Sequence, residues 1–98
     1  MSDPSLKLGL EYLRARRTDQ ALDLFTRVGD QADDPEVAAA AYYLGGIALE
    51  SEMRYDAAFE SYATANSLAP ANPMYIEVLT AVEQRKREVG DAVSQRGR

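Results

Sequence analysis

The chain has 98 residues and a net charge of −5, and 46% of it is apolar, sixteen of those residues being Ala. That is one domain, apolar enough to fold but with a thin core. It holds no Cys and no His, so it lacks disulfides, a thiolate nucleophile, the commonest general base and the commonest neutral metal ligand, which weighs against an enzyme.

The first helix is expected to start at Asp3-Pro4, where a capping side chain stands before Pro at the first helical position. Arg17-Thr18-Asp19 breaks its pattern, and Thr18 is the expected cap of a second helix running to Val28 and stopping at Gly29. Asp34-Pro35 repeats the opening signature for a third helix. Val37 to Leu49 is an uncharged run of 13 residues without Pro. It is too short to span a bilayer and reads as a helix buried on more than one side. Glu52-Met53-Arg54 is a short turn, after which a fourth helix runs from about Tyr55 to Ser67 and stops before Pro70. Asn72-Pro73 starts the last helix, expected to end at Val89 with Gly90 beyond it. No segment alternates with period two, so the fold class is all-α, with five helices and short loops.

Charge is unevenly spread. Residues 1–84 carry six Lys/Arg against fourteen Asp/Glu, while residues 85–98 carry five against two. An acidic body repels nucleic acid, and the basic end (Arg85, Lys86, Arg87, Arg96, Arg98) reads as a complement to a helix C-terminus followed by a flexible tail over 91–98. Met1-Ser2-Asp3-Pro4 has neither a basic nor an apolar leader region. A cytoplasmic location without membrane insertion is the resulting expectation.

The helices repeat in pairs. Gly9 and Gly46, Ala21 and Ala58, and Phe25 and Tyr62 are each separated by 37 residues. A fixed period in this range implies stacked supersecondary units. Gly on the first helix and Ala on the second let antiparallel helices approach closely, and an aromatic four residues after the Ala shares its face.

These residues give the chain its resemblance to the tetratricopeptide repeat (TPR) family. Residues 39–72 match in register at Tyr42, Gly46, Tyr55, Ala58, Tyr62, Ala65 and Pro70, with Leu44 one place early, Gly45 where Leu is usual, and Leu49 in place of Tyr. Residues 2–35 match at Leu8, Gly9, Tyr12, Ala21 and Phe25, but Ser5 replaces the first aromatic and Asp33 the Pro. The loop through Asp30, Asp33 and Asp34 is three residues longer than the consensus. Residues 73–89, with Ile76 and Leu79 in register, are similar to a capping helix. The resemblance implies a right-handed α-α superhelix formed by a single domain over residues 1–90, with first helices lining a concave face on which partners lie.

By the same resemblance, a partner-binding groove would include Leu6, Lys7, Leu10 and Arg14 from the first helix. It would include Tyr43, Leu44, Ile47 and Glu50 from the third, and Glu77, Val78, Ala81 and Arg85 from the last. Its centre is apolar and its rim charged, which suits an amphipathic helix or an extended apolar segment. The competing reading is that Leu10, Ile47 and Val78 close on one another as core. A clamp for a chain-terminal carboxylate is not expected, because Leu6, Leu10 and Leu44 stand where that clamp needs polar side chains. Tyr42, Tyr55 and Tyr62 read as structural, whereas Tyr43 is an additional aromatic and a candidate contact.

The expected function is a non-catalytic protein-interaction module, an adaptor or small chaperone that binds a protein or peptide partner. The alternative is a self-assembling module whose apolar face is buried in a homo-oligomer, since Leu6, Leu8, Leu10 and Leu13 spread over more than one face of the first helix. The carboxylate pairs Asp33/Asp34 and Glu50/Glu52 do not suit acid–base chemistry: Asp34 is a cap, and residues two apart on a helix do not share a face. No cofactor is expected, and the acidic loop lacks the spacing of a calcium site.

Overall fold

The structure, a computed structural model, describes the backbone of residues 4–96 and the side chains of residues 4–90. Five helices follow one another: α1 (Pro4–Arg14), α2 (Thr18–Gln31), α3 (Pro35–Ser51), α4 (Tyr55–Leu68) and α5 (Pro73–Arg96). There is no strand among the described residues. Each helix packs mainly on its neighbours in the chain, and α1 also touches α3.

The helix starts follow local chemistry. Asp34 Oδ1 accepts from the Glu36 N–H at 2.9 Å, and Asn72 Oδ1 accepts from the Met74 N–H at 3.0 Å. Each thereby satisfies one of the orphan donors of a first turn. The expected cap at Asp3 lies outside the described residues.

The turn between α1 and α2 differs from expectation. Thr18 is already the first helical residue, and the N-cap is Arg17, which makes no side-chain cap bond. The backbone fixes this turn instead. Arg16 adopts a left-handed φ of 62°, and the Arg17 N–H donates to the Tyr12 carbonyl at 2.8 Å. The α3–α4 turn copies it: Met53 has φ 59°, and the Arg54 N–H donates to the Leu49 carbonyl at 3.0 Å. Both pairs of positions are 37 apart, so the period read in the side chains is also present in the backbone.

Two helix ends are corrected. α2 continues past Gly29 to Gln31, because the Val28 carbonyl still accepts from the Ala32 N–H at 2.8 Å. Gly29 serves close packing rather than termination: a Cβ there would lie 2.7 Å from the Tyr42 ring. α5 likewise runs through Gly90 to Arg96, beyond the expected end at Val89 and into the segment expected to be a flexible tail. No described glycine adopts the positive φ that a left-handed helix cap requires.

The core is built on small-to-aromatic contacts. Phe25 on α2 is fully buried against Gly9 of α1, and Tyr62 on α4 is 1% exposed against Gly46 of α3. A Cβ at either glycine would overlap the ring. Burying such a ring stabilises by about 1.5–3 kcal/mol relative to leaving it exposed. α3 lies between α2 and α4 and buries Ala38, Ala39, Ala41, Gly45, Gly46, Ala48 and Leu49. That accounts for its uncharged sequence, as a helix apolar all round is covered on more than one side. Ala39, Ala65, Ala69 and Tyr75 form one buried cluster, and Leu49, Ala58, Tyr62 and Val82 another.

Candidate functional site

The first helices of the two repeats, α1 and α3, and the last helix, α5, carry all the residues expected to line a groove. They meet along two seams, α1 with α3 and α3 with α5, and the two seams are built differently.

The α3–α5 seam is bridged by side chains. The Tyr43 ring packs against Tyr75 with centroids 5.6 Å apart and against Tyr62 at 6.0 Å. Such tilted aromatic pairs add about 0.5–1.5 kcal/mol beyond the area they bury. Tyr43 borders both buried clusters, and Ile47 and Val78 pack on the cluster containing Tyr62 and Val82. Glu50 then ties three helices together. Its Oε1 accepts from the Tyr62 hydroxyl at 2.7 Å, and its Oε2 accepts from Arg85 Nη1 at 2.5 Å. Burial, followed by the bond to the Glu50 carboxylate, pushes the Tyr62 phenol well above its ordinary pKa. Nearby, Lys86 bridges to Asp56 at 3.0 Å and sits 4.7 Å from the centre of the Phe59 ring, holding the far end of α5 on α4.

The α1–α3 seam is open. A cleft of about 470 Å³ lies there, lined by Leu13, Arg14, Arg16, Thr18, Ile47, Ser51 and Glu52. The sequence repeat explains why it does not close. On the 37-residue offset, Leu13 is the counterpart of Glu50, and Leu6 that of Tyr43. From α5 back to α3 the offset is 34, which makes Ser51 the counterpart of Arg85, and Ala41 that of Tyr75. Tyr43, Tyr75, Glu50 and Arg85 are therefore replaced in the first seam by residues that cannot form the same contacts, whereas Ile47 and Val78 have apolar counterparts in Leu10 and Leu44. Phe25, the counterpart of Tyr62, has no hydroxyl to add.

The expected groove residues divide accordingly. Tyr43, Ile47, Glu50, Val78 and Arg85 are brought together around Tyr62, and Glu50 and Arg85 form a pair rather than two separate rim charges. Arg14 and Ile47 line the open cleft. Leu6, Leu10 and Leu44 are half-buried, and Lys7, Glu77 and Ala81 are exposed. Arg16, Thr18 and Glu52 line the cleft without having been expected there. They sit at or beside the inter-helix turns, and the left-handed geometry that brings Arg16 to the cleft has no glycine to announce it.

No three metal-ligating side chains converge among the described residues, and no helix among them is long and apolar enough to cross a membrane. No family model and no curated protein matches this chain.

Proposed function

We propose that this chain is a non-catalytic, TPR-like interaction module that receives an apolar or amphipathic segment of a partner protein at the α1–α3 seam. The repeated pair of helices, with the same turn geometry in each copy, supports the TPR-like reading. The observation that carries the binding reading is the contrast between the seams: Leu13 and Ile47 line an open cleft, while the corresponding positions beside α5 are bridged by Glu50–Arg85 and Tyr43–Tyr75. An adaptor or small chaperone works by covering such a segment of its client, and short apolar segments dock in grooves of this kind as helices or extended strands.

The test combines light scattering over a concentration series with titration of an apolar fluorescent dye. A monomer that binds dye, and loses that binding in Leu13→Glu while keeping its helicity, supports the reading. A stable dimer that excludes dye supports the alternative, in which a second copy covers the seam. A monomer that excludes dye contradicts both.

A further inference from the structure

Among the described residues, the cations on α1 and its following turn stand apart from the rest in having no carboxylate partner. Arg27, Arg54, Arg85, Lys86 and Arg87 each lie within ion-pair distance of a carboxylate. Lys7, Arg14, Arg16 and Arg17 are all exposed, and none of them has a carboxylate partner among the described residues. These four sit on α1 and its following turn, and Arg14 and Arg16 line the open cleft beside Leu13 and Ile47. The one carboxylate in that lining, Glu52, is engaged by Arg54 at 3.8 Å. Lys7 and Arg14 are seven residues apart on α1, with Leu10 between them, so the three share one face. An acidic protein thus presents a local positive edge on its open cleft, beside the apolar side chains of Leu13 and Ile47.

We infer that the segment received at the α1–α3 seam is acidic and amphipathic, its apolar side chains on Leu13 and Ile47 and its Asp or Glu side chains facing Arg14 and Arg16. This rests on the binding reading above and adds the chemistry of the partner. Unpaired arginines suit it because a guanidinium offers a planar fork of donors to a carboxylate, and charge complementarity selects partners and speeds encounter more than it adds affinity.

The protein's net charge makes the inference easy to overturn. At −5 overall, non-specific attraction favours a basic peptide, whereas the local rim favours an acidic one. Two synthetic amphipathic peptides sharing one leucine stripe, with Glu or Lys at the polar positions, are titrated by fluorescence anisotropy against the full chain at low and at physiological salt. The expected result is tighter binding of the Glu peptide, weakening as salt rises. Arg14→Glu with Arg16→Asp should weaken it about tenfold or more. Both positions are exposed, and Asp tolerates the left-handed backbone at position 16. Should circular dichroism show that variant unfolded, Arg14→Gln alone carries the test, with an expected loss of about two- to threefold. Equal binding of both peptides, preference for the Lys peptide, or a Glu preference that survives the arginine substitutions overturns the inference and leaves the apolar cleft standing. Binding of neither peptide overturns the inference and the binding reading together.

Discussion

The two halves of this molecule share a backbone plan and differ in how their outer seams end. In the first half, Phe25 fills the space beside Gly9, and Leu13 is left facing a cleft. In the second, Tyr62 fills the space beside Gly46, and its hydroxyl reaches Glu50, which also holds Arg85 on α5. One oxygen atom and one carboxylate separate a packing contact from a latch. The contrast shows that a repeat can keep its core and change its surface role through a few positions outside the buried set.

The largest expected effect tests the bridged seam. Tyr43→Ala removes a ring that contacts both Tyr62 and Tyr75 and should cost about 2–3 kcal/mol in chemical denaturation. Leu6→Ala, at the counterpart position, should cost about 1 kcal/mol, because that residue is half-buried on a terminal helix. Equal losses would erase the distinction between the seams.

Next come the glycines. Gly46→Ala places a methyl group against a Tyr62 ring held by Glu50, and overpacking should outweigh the gain in helix propensity by about 1–2 kcal/mol. Gly9→Ala should cost less, since Phe25 has no hydroxyl bond and its partner helix is terminal. Gly90→Ala, where no atom lies within 4 Å of an added Cβ, should instead raise helicity. A loss of stability at position 90 would contradict the open environment assigned to it.

A smaller effect follows from the latch itself. Tyr62→Phe should cost about 1 kcal/mol at neutral pH, because Glu50 keeps Arg85 but loses a donor. The pH dependence has a defined sign. The raised pKa of Tyr62 means that the unfolded chain loses this proton first, near pH 10. Its contribution is therefore complete below about pH 10 and declines as the pH rises further. Tyr42 and Tyr75 are raised as well, so Tyr62→Phe should flatten the alkaline slope without removing it.

A comparably small effect on stability is the sharpest on function. Leu13→Glu with Ser51→Arg writes the Glu50–Arg85 pair into the first seam. The loss of the half-buried Leu13 side chain, partly offset by the new ion pair, should change stability by about 1 kcal/mol. Dye binding should nevertheless fall, because the cleft gains a charge on each wall.

Most of the fold is legible in the chain. Asp34-Pro35 and Asn72-Pro73 carry the start signals of α3 and α5 in adjacent residues, and the Gly, Ala and aromatic positions carry the helix contacts at a fixed period. Gly29 and Gly90 mislead because glycine marks either a helix end or a tight contact, and the choice depends on what packs above it. Tyr42 lies over Gly29, while Gly90 has only open space around it. The groove is less legible. Position numbers place Glu50 and Arg85 on the same face, but only the packing of α5 decides that they meet each other rather than a partner. The left-handed Arg16 carries no local signal, so its place in the cleft emerges only from the folded turn.

Amide chemical-shift mapping with the acidic amphipathic peptide tests the difference between the seams most directly. Perturbed amides should cluster along Leu10–Arg16 and Ile47–Glu52, while those of Tyr75, Val78 and Ala81 hold their positions. Perturbation centred on Tyr75, Val78 and Ala81, or no perturbation along either seam, would contradict that difference.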